Sequence, residues 1–270
     1  NLGNLFRDLG RFEEAKVSYR EAIRLKPKDG CNILLCEFTY SNIPNSTTDI
    51  QNIRLQFEKS IDKVLNIDFE IMNPAANAFG YTFYLAYHGE NNRHLLDKFS
   101  KMLRKKIPTL NYCYRNRTPS HPYGRKIRVG ICSEFLVNHT IGKLYKGMIE
   151  KIDRNNFEVV VIHASKSKRD DHEKLISGLA DECVRLTPNL ERSQKAIEDL
   201  NLDVLFYPDI GMSPETYYLA YARLAPVQCV GWGHPDTTCI DTIDYFLSSS
   251  LIEPQAASSH YSERLIKFNH

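Results

Sequence analysis

Four short runs, nearly all apolar and rich in β-branched residues, follow Gly124 and constrain the fold most. Runs of this kind suit strands that helices bury on both faces of a sheet. Between the runs lie segments with helical periodicity, the clearest being 141–152, where apolar residues recur every three or four positions. Strand–helix alternation predicts an α/β fold with a doubly wound parallel sheet. The runs are 126–132, 157–163, 202–207 and 227–232.

The remaining pattern completes this sheet. Further helical segments are predicted at 171–180, 190–200 and 214–224. The last has Ser213 as N-cap and Pro214 at the first helical position, as helix starts favour. Two more apolar runs, 243–247 and 265–268, predict one or two edge strands.

The segment before Gly124 has a different character. Small residues at Gly3, Ala15 and Ala22 alternate with bulky ones in residues 1–27, and the spacing resembles the end of a tetratricopeptide repeat. Irregular helical patterns follow to Tyr123, and the Pro-rich stretch from Arg115 to Gly124 has linker composition. We therefore predict a repeat end at 1–30, a helical connector at 31–123 and a sheet domain at 124–270, in a chain that is a piece of a longer protein.

Composition limits the partners. Lys and Arg (35) nearly balance Asp and Glu (33), which argues against nucleic-acid binding, and no apolar stretch approaches a membrane span. The basic run Arg104-Lys105-Lys106 ends a predicted helix, where cations are favoured, and we interpret it as a solvated helix end. Seven cysteines without a Cys-x-x-Cys pair predict reduced thiols in a cytoplasmic protein.

Ligands of open α/β sheets bind outside the carboxyl ends of the strands, and polar residues collect there in this sequence. No glycine-rich dinucleotide loop, Walker-type phosphate loop or Gly-x-Ser-x-Gly elbow is present. The sequence therefore predicts a site at this edge that belongs to none of those classes. Candidates are Ser133, Glu134, Asn138, His139, His163, Ser165, Asp209, Gly211 and residues 231–238.

Histidines at this edge have two interpretations each. His139 precedes a predicted helix, whose positive dipole end favours the neutral ring that a general base needs, or else it simply caps that helix. His88 is expected to be a packed helix-end residue. For His234, the backbone of its Gly-Pro loop is expected to matter more than the ring.

Two acidic pairs could suggest a metal, namely Asp170 with Asp171 and Asp241 with Asp244. Neither has a His or Cys that completes a ligand set. We predict no metal site and assign both pairs to helix starts and turns.

Several of these segments together resemble the O-GlcNAc transferase family, glycosyltransferase family 41, in its bacterial form. The resemblance extends from about Phe79 to His270. It is carried by Lys126-Ile-Arg-Val-Gly-Ile-Cys-Ser-Glu-Phe135 with Asn138-His139, by Ala225-Pro-Val-Gln228, by Gly233-His-Pro-Asp-Thr-Thr238, by Ile243-Asp-Tyr245 and by Tyr261-Ser-Glu263.

The resemblance implies the first of two Rossmann-like halves of a GT-B glycosyltransferase. It implies inverting, metal-independent transfer of N-acetylglucosamine from UDP-GlcNAc to protein Ser or Thr hydroxyls, without a cofactor. His139 is then the candidate catalytic residue. The candidate substrate-binding residues are Asn138, Glu134, Trp232, Gly233, His234 and Pro235.

Two alternatives stay open. One is a family member that uses GDP-fucose as donor or asparagine as acceptor. A tetratricopeptide interaction module with a degenerate transferase domain is the alternative from another class.

Overall fold

The computed structural model describes residues 2–71, 73–76, 81–113 and 124–269. Most of the predicted linker, Arg115 to Tyr123, lies outside the described residues, as does Phe79, where the family resemblance begins.

The chain opens with a tight helical hairpin, α1 (Leu2–Asp8) and α2 (Phe12–Leu25). A Cβ at Gly3 would lie 2.5 Å from the Tyr19 ring, so only glycine permits this approach. The Tyr19 hydroxyl donates to Asn4 Oδ1 at 2.7 Å. The predicted alternation of small and bulky residues is therefore what packs the hairpin.

The helical connector contains α3 (Gly30–Glu37), α4 (Thr47–Leu65) and α5 (Arg93–Lys106). Asp29 and Ser46 cap the first two through side-chain oxygens that accept backbone N–H groups. The connector's core is aromatic, with Phe38 contacting the Phe57 and Phe99 rings. Short 3₁₀ helices lie at Pro74–Ala76, Phe83–His88 and Pro108–Asn111.

The C-terminal part forms a seven-stranded sheet within the described residues, and every pairing is parallel. The strand order is β3-β2-β1-β4-β5-β6-β7. The predicted α/β class and doubly wound parallel sheet are thus confirmed. The strands are β1 (Ile127–Ser133), β2 (Phe157–His163), β3 (Glu182–Arg185), β4 (Val204–Tyr207), β5 (Val227–Gly231), β6 (Tyr245–Ser249) and β7 (Arg264–Phe268).

Helices cross between these strands. Asp170 and Asn189 cap two of them through side-chain oxygens, and His139 caps another through its ring nitrogen. Ser213 occupies an N-cap position as predicted, but its hydroxyl makes no capping hydrogen bond and donates to Glu134 instead. The helices are α6 (Thr140–Lys151), α7 (Asp171–Gly178), α8 (Leu190–Asp199) and α9 (Pro214–Ala220), and a 3₁₀ helix lies at Ala257–His260.

The basic run at the end of α5 differs from its prediction as a solvated helix end. Arg104 donates to the carbonyl of Tyr221 at 3.0 Å and to Asp241, and its guanidinium lies over the Tyr221 ring. Lys106 donates to the carbonyl of Ile67 at 2.6 Å. Two of the three cations therefore hold the connector together and against the sheet domain. In the described part of the chain, no helix combines the length and apolarity that crossing a membrane requires.

Candidate functional site

The order of the strands places a crevice between β1 and β4, where the direction of winding reverses. Ser133 ends β1 and Asp209 follows β4, and both side chains are fully buried. The Ser133 hydroxyl donates to Asp209 Oδ2 at 2.7 Å across the crevice. Two residues that the sequence placed at this edge are thus brought into direct contact.

Asp209 has an unusual environment for a carboxyl group. Its Oδ1 atom is buried without a hydrogen-bond partner among the described residues. Burial raises the pKa of Asp209, the Ser133 hydrogen bond opposes the rise and neighbouring Glu134 adds to it, and together they bring it to about 7. Near neutral pH this carboxyl group therefore exists in both protonation states.

The loop of residues 134–139 leads from β1 to α6. His139 is half-buried, and its Nδ1 accepts the backbone N–H of Ile141 at 3.2 Å. Its ring also lies against Phe135, with centroids 4.7 Å apart. His139 is thus the N-cap of α6, and its Nε2 atom has no hydrogen-bond partner among the described residues.

The other two candidates of this loop behave differently. Asn138 is exposed, and its backbone N–H donates to Asp170 Oδ2 at 2.9 Å. Glu134 accepts the Ser213 hydroxyl at 2.5 Å through Oε2, while its carbonyl accepts the Ser167 hydroxyl at 2.7 Å. Asn138 is therefore available for contacts, and Glu134 links this loop to the start of α9.

The loop of residues 231–235 begins at the last residue of β5, and its backbone conformation depends on its two glycines. A Cβ at Gly231 would lie 2.2 Å from the Tyr145 hydroxyl oxygen, and one at Gly233 would lie 2.4 Å from the Pro208 carbonyl oxygen. The Gly233 N–H donates to that carbonyl at 3.0 Å. Trp232, between them, is half-buried and lies near the Tyr145 ring.

His234 and Pro235 complete the loop. The His234 ring is buried, stacks on Phe83 with centroids 5.1 Å apart and lies against Gly211, whose φ is +109°. Burial lowers the pKa of His234 to about 4, so the ring is neutral at physiological pH. Pro235 is exposed. The His234 ring is therefore a packing element, and Trp232 and Pro235 offer the accessible surface of this loop.

Residues distant in sequence brace residues 236–238, which directly follow the 231–235 loop, and sequence reasoning did not assign them. Buried Glu263 accepts the Thr237 hydroxyl at 2.6 Å and the Thr238 N–H at 2.8 Å. Asn92 donates to Asp236 Oδ2 at 2.7 Å, and burial raises the pKa of Asp236 to about 6. The motifs Thr237-Thr238 and Ser262-Glu263 stand out in the sequence and contain the groups that make these contacts. No local sequence pattern predicts the contact of Asn92.

The acidic pairs serve structural roles. Asp170 caps α7, backbone hydrogen bonds lower its pKa, and Asp171 pairs with Lys174. Asp241 pairs with Arg104, and Asp244 pairs with Arg223 at 2.6 Å. Among the residues whose placement is described, no group of three His, Cys, Asp or Glu side chains could hold a metal.

A cavity of about 500 Å³ lies beside this edge. Its walls come from α1, the segment after α3, the 3₁₀ helix Phe83–His88 and the loops after β2 and β4. Phe83 and Gly211, which enclose the His234 ring, form part of the wall, and Arg7 and Lys166 contribute positive charge. His88 lines it as a buried residue, consistent with its prediction as a packed histidine, and burial lowers its pKa.

Two loops with accessible polar and aromatic groups therefore lie at the carboxyl edge of a parallel sheet, beside a cavity that reaches the repeat end. The family model for glycosyl transferase family 41 matches residues 82–270, which include every strand of this sheet. The chain belongs to glycosyl transferase family 41. A tetratricopeptide repeat model matches residues 1–29, so the predicted repeat end and the suspected family are confirmed.

Relatives of this family-41 chain have been named for their activities. The chain is 22% identical over 201 residues, 71% of its length and 31% of the relative's, to a UDP-glucose:protein N-beta-glucosyltransferase of Actinobacillus pleuropneumoniae serotype 5b (strain L20). It is 36% identical over 58 residues, 22% of its length and 9% of the relative's, to the protein of that name from serotype 7 (strain AP76).

The fold has a solved counterpart. A Thermobaculum terrenum O-GlcNAc transferase mutant, K341M, superposes with a TM-score of 0.66 at 17% identity, covering 99% of this chain and 49% of that one. The family-41 chain thus spans about half the length of that structure and about a third of the length of the serotype 5b relative.

Proposed function

We propose that the complete protein transfers a sugar from a UDP-sugar to a side chain of an acceptor protein. The observation that carries this proposal is the coincidence of the family-41 match with the two loops at the carboxyl edge of the sheet. In such sheets this edge is where ligands bind. The proposal keeps the inverting, metal-independent mechanism and the GT-B architecture that the family resemblance implies.

His139 is the proposed catalytic residue of this half. The acceptor loses a proton as it attacks the anomeric carbon, and a positioned base contributes ~10²–10⁴-fold, or about 3–5 kcal/mol. The observed cap leaves Nδ1 unprotonated, so a neutral ring carries its proton on Nε2. Moving that proton to Nδ1 costs the cap hydrogen bond, ~0.5–2 kcal/mol. Because the gain exceeds the cost, the base role is compatible with the cap.

The proposed substrate contacts divide between the two loops. Asn138 and Trp232 offer an amide and an aromatic face, while Gly233 and Pro235 expose loop backbone beside them. Glu134 and His234 are assigned to holding these groups in place, because both are engaged by neighbouring side chains. The acceptor protein is proposed to approach through the cavity between the repeat end and the sheet edge.

Two combinations of donor and acceptor are candidates. The names of the curated relatives favour UDP-glucose as donor and asparagine as acceptor. The resemblance to O-GlcNAc transferases favours UDP-GlcNAc and a Ser or Thr hydroxyl.

The test is turnover by the complete protein with UDP-glucose, UDP-GlcNAc or GDP-fucose, measured as nucleotide release and as peptide mass gain. Peptides that carry a single Asn, Ser or Thr separate the acceptors, and the mass of the added group separates a hexose from an N-acetylhexosamine. We expect turnover with one UDP-sugar. Absence of nucleotide release with every donor would favour the interaction module with a degenerate transferase domain.

A further inference from the structure

We propose that Asp209 is a positioning residue that ties the 134–139 loop, which carries His139, to the 231–235 loop, which carries Trp232. This inference rests on the proposed function for its catalytic meaning. Its structural content, a coupling between two loops through one buried residue, stands on contacts in the chain itself.

The first link runs through Ser133. Its hydroxyl donates to Asp209 Oδ2 at 2.7 Å and accepts the backbone N–H of Phe135 at 2.8 Å. The Phe135 ring in turn lies against the His139 ring. A serine hydroxyl has one proton, so accepting Phe135 while donating to Asp209 fixes its rotamer and the start of the loop.

The second link is steric. The Gly233 N–H binds the carbonyl of Pro208, directly before Asp209. A Cβ at Gly233 would lie 3.0 Å from Asp209 Cβ, so the loop backbone rests on this side chain. At the crevice between β1 and β4, Asp209 therefore contacts the 231–235 loop directly and the 134–139 loop through Ser133.

The chemical nature of Asp209 is poorly explained by stability alone. A carboxyl group with one unpartnered oxygen in a fully buried site is costly when ionised, and a neutral amide of the same shape would avoid that charge. Strained or costly groups of this kind concentrate at functional sites. The titratable groups that face Asp209 are Cys132 from β1, Glu134 from the 134–139 loop and Tyr145 from α6. The segment after β5 brings His234 against Gly211, two residues after Asp209.

Each loop carries its own reporter. Trp232 is the single tryptophan of the chain, so its emission reports on the 231–235 loop. The backbone amide resonance of Phe135, whose N–H donates to the Ser133 hydroxyl, reports on the 134–139 loop. Because burial brings the pKa of Asp209 to about 7, both reporters should share a change with a midpoint near that pH.

The experiment is a pH titration of both reporters in the chain and in its variants. Asp209→Asn should remove the shared step from both signals. Glu215→Gln, which alters another buried carboxyl group held by a serine at the same edge, should leave the step in place. His139→Asn removes the nearby imidazole and should keep the step in both signals, because that step originates at Asp209. A Trp232 step that is absent from the wild-type chain or unchanged in Asp209→Asn would overturn the proposal.

A second variant keeps the test decisive if Asp209→Asn does not fold. Ser133→Ala removes the first link and leaves the second, so the Phe135 amide signal should lose the step while Trp232 keeps it. Loss or retention in both signals would contradict the two-link arrangement.

The catalytic meaning is tested separately in the complete protein. Displacing a catalytic group by about 1 Å lowers the rate on the order of 10²-fold. We therefore expect Asp209→Asn to lower kcat by ~10–100-fold with little change in the KM for the donor. Its pH–rate profile should lack a limb near pH 7 that the wild type shows. If the reporters are coupled but no donor is turned over, the proposed function fails and the coupling stands. If turnover is normal and the two reporters respond independently, the positioning role of Asp209 is wrong and the proposed function stands.

Discussion

At the residue scale, His139 combines a helix cap with a proposed catalytic role in one ring. His139→Ala should lower kcat by ~10²–10⁴-fold and the free energy of unfolding by ~0.5–2 kcal/mol. His139→Asn is the matched control, because asparagine is a strong N-cap without an imidazole. We expect the asparagine variant to regain the stability and not the rate, as measured by urea unfolding and initial rates. Recovery of both would reduce His139 to a cap.

Buried histidines make stability depend on pH in a defined direction. Burial lowers the pKa of His163, Glu173 opposes the shift and Arg185 adds to it, and together they bring it to about 4, whereas the unfolded pKa is ~6.5. The folded state thus resists protonation, and the contribution to stability is present above about pH 6.5 and lost as the pH falls toward 4. The raised pKa values of Asp209 and Asp236 act in the opposite direction, because their contribution is lost as the pH rises toward 7 and 6.

His163→Gln isolates one of these opposing contributions. The glutamine amide is expected to retain the hydrogen bond that Ser177 makes with His163 Nε2 at 2.9 Å. Relative to wild type, the variant should gain about 2–3 kcal/mol of unfolding free energy when the pH falls from about 7.5 to about 4.5. Urea unfolding at the two pH values measures this difference, and an unchanged difference would mean that His163 is protonated in the folded chain.

At the element scale, the 231–235 loop is built by close approach of backbone to its neighbours. Gly233→Ala places a methyl group 2.4 Å from a backbone oxygen that cannot move independently. We expect a loss of about 1–3 kcal/mol of stability and a shifted Trp232 emission. Gly147→Ala in α6 is the control, since nothing lies within 4 Å of its added methyl group, and it should gain ~0.5–1 kcal/mol. Equal effects of the two substitutions, measured by thermal unfolding, would contradict the close approach.

Sequence periodicity predicted the elements whose burial is complete. The core of β2, from Val159 to Ile162, is fully buried, and its uninterrupted apolar run was recognisable. Strand β3 was not recognised, because this four-residue edge strand includes Glu182, Arg185 and an exposed Cys183 and carries no such run. Helices α7 and α9 end earlier than predicted, at Gly178 and Ala220, as helix boundaries depend on tertiary contacts as much as on periodicity.

The candidate site was predictable to the extent that it follows from topology. Parallel strands bring Ser133 and Asp209 to one edge, so their nearness followed from the fold. Their hydrogen bond, the unpartnered Oδ1 and the brace from Asn92, 144 residues before its partner Asp236, depend on packing between distant segments. No local spacing encodes such contacts.

At the scale of the whole molecule, the helical connector and one face of the sheet share a continuous core. Buried residues of α4 and α5, among them Phe57 and Phe99, belong to the same cluster as Val160 and Tyr207 from the sheet. Because the two regions bury one another's apolar surface, we expect the described parts of the chain to unfold together.

Arg104 is the charged element of this contact. Its guanidinium spans the boundary, binding the Leu110 carbonyl at 2.9 Å on the connector side and Tyr221 and Asp241 on the sheet side. A planar fork can satisfy these acceptors together, whereas a lysine ammonium presents a single charged point.

Arg104→Ala should therefore lower the free energy of unfolding by ~2–3 kcal/mol, since it leaves several acceptors at the boundary unpaired. Arg104→Lys should recover only part of this loss. Lys105→Ala, one residue along, is the matched control and should stay within ~0.5 kcal/mol of wild type because its side chain is exposed. Urea unfolding followed by far-ultraviolet circular dichroism and by Trp232 emission should give coincident transitions in wild type and in Lys105→Ala. In Arg104→Ala the boundary is weakened, so the dichroism, which reports mainly on helices, should begin to change before the Trp232 signal. Equal stability of Arg104→Ala and Lys105→Ala would show that apolar burial alone holds the connector on the sheet.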